Sequence, residues 1–170
     1  MGIFDFLTGS KPAPAGIARQ SRDALRTALL ALNRDTAPWH VRDGAPEGVD
    51  LVAEWKIVDA RWYEIFAKAS LGKVFKVLIK FDEQKGEVRA VDQEWTVEWR
   101  AGVPVLNLSA EAFRGQKMEV SFGTAFAFKE NLSYGQVYEY RFKTSELKTP
   151  LREAAAKAGW GWKGVAFGKL

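Results

Sequence analysis

The sequence predicts an α+β domain, an antiparallel sheet of about five strands with helices packed on one face. Three observations carry this. Apolar residues recur at three- and four-residue steps near the start of the chain, a proline-started and glycine-stopped helical run lies near its end, and the stretch between alternates with a period of two. One helix is therefore N-terminal and one C-terminal, with the strands between them.

The first segment, "MGIFDFLTGSKPAPAG", is a short apolar cluster (Ile3, Phe4, Phe6, Leu7) followed by a Pro-Ala spacer. Residues 1–15 are expected to be a flexible segment, and 16–170 a single globular α+β domain. Phe6 stands where N-myristoylation wants Ser or Thr, so lipidation of Gly2 is not expected. From Ile17 to about Asn33, the positions Ile17, Ala24, Leu25, Ala28, Leu29 and Leu32 form the stripe of an amphipathic helix. Asp35 and Pro38 close it.

Residues 51–69 fit two periods. Leu51, Trp55, Val58, Trp62, Ile65 and Ala69 fall at helical spacing, with Asp50 as N-cap and Gly72 as stop, whereas Leu51, Ala53, Trp55 and Ile57 also alternate. Helix is the expectation, and a hairpin the alternative that would make the chain nearly all β. After Gly72, Phe75, Val77, Ile79 and Phe81 alternate as a strand, and "DEQKG" turns it.

In the following "VRAVDQEWTVEWRAG", Val88 and Ala90 are apolar at even positions, but Val91, Trp95, Val97 and Trp99 at odd ones. That slip predicts a bulge between Val91 and Gln93. It also predicts that the tryptophan side is core and the side of Asp92, Glu94 and Glu98 solvent. "AGVPVLNLSAEAFRGQ" reads as a connection with one helical turn after Ser109. Met118 to Phe128 and Tyr138 to Phe142 read as a hairpin turned by "ENLSYG". Thr149 as N-cap, Pro150 at the first helical position and Gly159 as stop frame the last helix, and "GWGWKG" adds a short strand.

Composition excludes several function classes. The 170 residues contain no cysteine, so disulfides, thiolate metal sites and cysteine nucleophiles are ruled out, and a cytoplasmic setting fits. No run approaches the roughly 20 apolar residues of a membrane span. The net charge of +4 is spread over interspersed acids and bases, with no basic block of the kind nucleic-acid binders carry. His40 is the single histidine, so a multi-histidine metal site is excluded, and nucleotide-loop and hydrolase-elbow motifs are absent. No metal and no cofactor is expected.

Two groups remain as candidate sites. Asp92 and Glu94, roughly 7 Å apart along a strand, form an acidic cluster able to act as acid and base, with Arg89 or Arg100 as a basic partner and a divalent ion as an option. Trp160 and Trp162, beside Lys163 and among glycines, form a ligand-binding candidate where indoles stack on a planar group. The aromatic surplus without catalytic signatures points to a non-enzymatic accessory or binding module. Its occupant would be an unknown protein partner or a small apolar ligand, taken by an aromatic-lined pocket or sheet face. The alternatives are a carboxylate-dependent enzyme and a weak nucleic-acid binder. An exposed edge strand would also allow a homodimer.

Overall fold

The computed structural model describes residues 9–59, 62, 66–67, 72–108, 114–115, 128–131, 137–140, 144–165 and 170. In chain order the elements are α1 (Arg22–Leu30), β1 (Trp39–Asp43), β2 (Leu51–Trp55), β3 (Lys73–Asp82), β4 (Glu87–Arg100) and β5 (Val103–Leu108). They continue with β6 (Arg114–Gly115), β7 (Phe128–Asn131), β8 (Val137–Tyr140), α2 (Thr144–Lys157) and β9 (Gly161–Gly164). Seven strands form one mixed, mostly antiparallel sheet, and α1 and α2 pack on one face of it, so the chain is α+β. β7 and β8 form the expected hairpin as a separate ladder. The rest of that expected hairpin, the helical turn after Ser109 and the N-terminal apolar cluster lie outside the described residues.

β4 organises the sheet. One of its edges takes β3 over its whole length, from Lys73↔Thr96 to Asp82↔Glu87. The other edge is shared by β9 at Glu87 to Ala90, β6 at Asp92 and Gln93, and β5 at Trp95 to Arg100. β9 runs parallel to β4, a pairing that needs a crossover, and α2 packs on the helical face just before it.

α1 starts later than the spacing suggests, at Ser21, whose hydroxyl accepts from the Ala24 amide as an N-cap. Leu25 and Leu29 of α1 meet Leu147, Leu151 and Ala155 of α2 over Val41, Leu51, Ala53, Val77, Ile79, Val88 and Ala90 of the sheet. This inner face holds the main core, and a smaller cluster of Val52, Leu78, Val91 and Val165 lies on the outer face.

Several expectations are corrected. Residues 51–55 are a strand, not the start of a helix, because β2 is central and buries both faces: Leu51, Val52 and Ala53 are all sealed. Asp50 caps no helix there; its carboxylate accepts from the Phe81 amide. Beyond β2 the Phe66 amide donates to the Trp62 carbonyl, and most of the rest of the expected helix lies outside the described residues. No bulge interrupts β4, since Leu78↔Val91, Val77↔Asp92 and Lys76↔Gln93 pair one for one. Residues 103–108 are a strand rather than a connection, turned by Ala101 and Gly102, both at positive φ (50° and 79°), as a two-residue primed turn requires. α2 begins at Thr144, and Pro150 lies inside it. The stripe Leu147, Leu151, Ala155 runs through the proline, and its burial outweighs the one amide that proline lacks. Of the expected N-terminal tether, Ser10 and Lys11 are part of the fold: Lys11 exchanges two backbone hydrogen bonds with Trp162, and the Ser10 hydroxyl accepts from the Gly164 amide.

Candidate functional site

The alternation of β4 puts Val88, Ala90, Asp92 and Glu94 on the inner face and Arg89, Val91, Gln93 and Trp95 on the outer. Asp92 and Glu94 are therefore buried, not solvated as the sequence suggests. A carboxylate replaces an apolar residue on the core side where α2 supplies a cation: Lys148 Nζ lies 2.6 Å from Asp92 Oδ2. Exposure is 0% for Asp92 and 3% for Lys148. Burial pushes the Lys148 ammonium below its usual range, and the Asp92 charge opposes that shift. Arg152 of α2, also lowered by burial, feels the same carboxylate. Asp92 is thus the anion of a sealed ion pair, and Arg89 and Arg100, read as its basic partners, do not serve it. Arg89 is on the outer face and Arg100 pairs with Glu98 at 3.0 Å.

Trp160 and Trp162 are 2% and 3% exposed. The Trp160 indole donates to the Gln20 carbonyl at 2.9 Å, meets Phe81, and is covered by the Arg19 guanidinium 5.5 Å from the ring. Trp162 stands on the inner face opposite Val88. Neither indole offers a face for stacking. Lys163 separates from them, since β9 alternation turns it to the outer face beside Arg89.

The outer face carries a polar network that the sequence reading missed. Rows of side chains cross its strands in bands. One band is Val52, Leu78 and Val91, covered by Val165 and flanked by Leu170. On one side of it lies the network, centred on Glu54 of β2. His40 Nε2 is 3.0 Å from Glu54 Oε1, Arg42 Nε donates to the same oxygen at 2.7 Å, and Lys76 Nζ is 3.1 Å from Oε2. Arg42 also forks onto Glu47 of the turn after β1. Burial pushes the Glu54 carboxyl up, but His40, Arg42 and Lys76 outweigh it and hold the group well below 4.5. The Glu47 contact likewise raises Arg42.

Trp95 extends the network across β4. Its indole donates to Gln93 Oε1 at 3.2 Å, and Lys76 Nζ stands 4.5 Å from the ring. Trp95 is only half-buried, so the tryptophan side of β4 is not wholly core. At the β1 end, His40 borders an open hollow of about 220 Å³ with Asn33, Arg34, Asp35, Lys56 and Asp59. The signal for these residues is the alternation in "WHVRD", where His40 and Arg42 share one face.

Among the described residues no cluster of His, Asp and Glu is arranged to hold a metal ion, and no helix is long and apolar enough to cross a membrane. No protein-family profile, no curated protein and no solved structure matches the chain.

Proposed function

We propose that the chain is a non-enzymatic binding module that offers the outer face of its sheet, around His40, Arg42 and Trp95, to a protein partner. The observation that carries this reading is the hydrogen-bonded belt itself. Glu54 fixes a histidine, an arginine and a lysine, and the lysine lies over a half-buried tryptophan. Arginine and tryptophan held in place by neighbours lose little side-chain entropy on docking, and these residue types dominate protein interfaces. A protein is favoured over an apolar ligand because two hollows among the described residues are lined largely by charged side chains. The nucleic-acid alternative loses its stacking residues to the core.

Affinity purification of tagged wild type beside Arg42→Glu and Trp95→Ala, each checked for an unchanged fold by circular dichroism, tests the reading. A partner retained by the wild type and lost by both variants supports it. A partner retained equally by all three removes the outer face from the interaction.

The Asp92–Lys148 pair supports a second reading, a carboxylate-dependent enzyme in which a lysine lowered by burial moves a proton. Because the pair is sealed, this reading requires α2 to open locally, and reductive trapping with a small aldehyde and borohydride should then label Lys148. An unlabelled Lys148 would leave the pair a structural element.

A further inference from the structure

Beyond the apolar band, away from the Glu54 network, three cations stand side by side across three strands. Lys80 of β3 is opposite Arg89 of β4, and Arg89 is beside Lys163 of β9, all on the outer face. Like charges placed directly across a sheet repel, and neighbouring rows normally relieve this with close pairing. Here the relief is loose. The next row holds Asp82 and Glu87, yet Arg89 Nη1 stands 4.0 Å from Asp82 Oδ2, beyond hydrogen-bond reach. Asp82 Oδ1 instead accepts from the Lys85 amide of the turn. Among the described residues, neither Lys80 nor Arg89 makes a side-chain hydrogen bond, and Arg89 Nε is buried without an acceptor. A buried donor left unmade is costly, and a bound anion beside this guanidinium is one way to complete it.

An open hollow of about 350 Å³ lies against this row, lined by Lys80, Arg89, Gln84, Asp82, Glu83 and Leu170 among others. Lys80, Arg89 and Lys163 are balanced by Asp82, Glu83 and Glu87, so no net field draws an anion in from a distance. Selection rests on where the donors are. An ammonium and a guanidinium fork on adjacent strands, with Gln84 also lining the hollow, match the tetrahedral oxygens of a phosphate better than a spherical chloride. The volume exceeds what one phosphate fills.

We infer that the Lys80–Arg89 row is a binding site for a phosphate monoester, with the phosphate on the two cations and its organic group in the hollow beside Leu170. This site is separate from the face proposed for a protein partner, and neither depends on the other.

The test is isothermal titration of the full chain with inorganic phosphate and with phenyl phosphate, against chloride at matched ionic strength. Saturable binding of both phosphates is expected, with the ester tighter. Lys80→Ala, an exposed position that leaves the core untouched, should weaken binding by about tenfold or more. Arg89→Gln should abolish it, and Lys85→Ala in the neighbouring turn should leave it unchanged. Heat no different from chloride, or wild-type affinity in Lys80→Ala, overturns the site. An ester that binds no tighter than inorganic phosphate overturns the role of the hollow.

Discussion

Lys148 Nζ lies 2.6 Å from Asp92 Oδ2 with both side chains sealed between α2 and β4. Removing one partner strands the other charge in the core, which costs about 3–5 kcal/mol. Asp92→Ala and Lys148→Met should each lower the unfolding free energy from urea titration by that amount, whereas a double change to Asp92→Leu with Lys148→Met should recover most of the loss. A double variant as unstable as the sum of the singles would show that the two sites act separately. The pH dependence has a sign as well. Burial lowers Lys148 from 10.5, so the folded chain sheds this proton before the unfolded chain does. The contribution of Lys148 to stability therefore rises as pH climbs toward 10.5, and Lys148→Met should flatten that rise.

Glu54 titrates in the opposite sense. Its carboxyl is held well below 4.5, so the stability it contributes is present above 4.5 and is lost as pH falls below that value. At neutral pH Glu54→Gln should cost about 1–3 kcal/mol, because the amide keeps one acceptor oxygen but loses the charge and turns an NH2 donor toward one of the cations. Thermal midpoints of wild type and variant, followed from neutral pH downward, should converge below 4.5. Parallel curves would mean that Glu54 is not the group whose protonation loosens the sheet.

Ala101 is the one non-glycine residue at positive φ among the described residues, at 50°, in the turn between β4 and β5. An L-alanine there carries roughly 1 kcal/mol of strain that asparagine or glycine relieves. Ala101→Asn should raise the urea midpoint by about 0.5–1 kcal/mol in stability. Gly102, at φ 79° with open space where a Cβ would stand, should give the mirror result: Gly102→Ala destabilises through backbone conformation alone. An Ala101→Asn variant no more stable than wild type would place the turn in another conformation in solution.

The fold class was legible because helical spacing and period-two alternation are local signals. Ser21, Leu25 and Leu29 carry α1, and "DEQKG" carries the turn between β3 and β4, where Gly86 takes a φ of 63°. The buried faces of α1 and β3 were legible too, since Leu25, Leu29, Phe75, Val77 and Ile79 are all sealed, but those of β2 and β4 were not. β2 was misread because a central strand buries both of its faces and loses its alternation. Asp92 and Glu94 were placed in solvent because no local pattern reveals Lys148, 56 residues away, as the partner that lets a carboxylate enter the core. The same holds for the candidate sites. Trp160, Trp162 and Lys163 are neighbours in sequence, but β9 sends Trp162 to the core and Lys163 to the outer face. The row of Lys80, Arg89 and Lys163 comes from three strands and exists only once their register is known.

The outer edge of β1 is closed by a side chain in place of a strand. Asn33, just past α1, donates from its amide to the Val41 carbonyl at 2.7 Å and accepts the Val41 amide at 2.6 Å, the pattern a neighbouring strand would make. An open edge invites pairing with a second copy, so Asn33 acts against the homodimer that such an edge would allow. Asn33→Ala leaves both Val41 groups without their partner and should cost about 1–3 kcal/mol, read from the urea midpoint. Asn33→Asp keeps the acceptor but sets a carboxylate against the Val41 carbonyl, so it should be no better than alanine. Light scattering across a concentration series should show Asn33→Ala associating where the wild type does not. A monomeric Asn33→Ala at all concentrations would mean that the edge is guarded by the Arg26–Asp43 pair at its end rather than by Asn33.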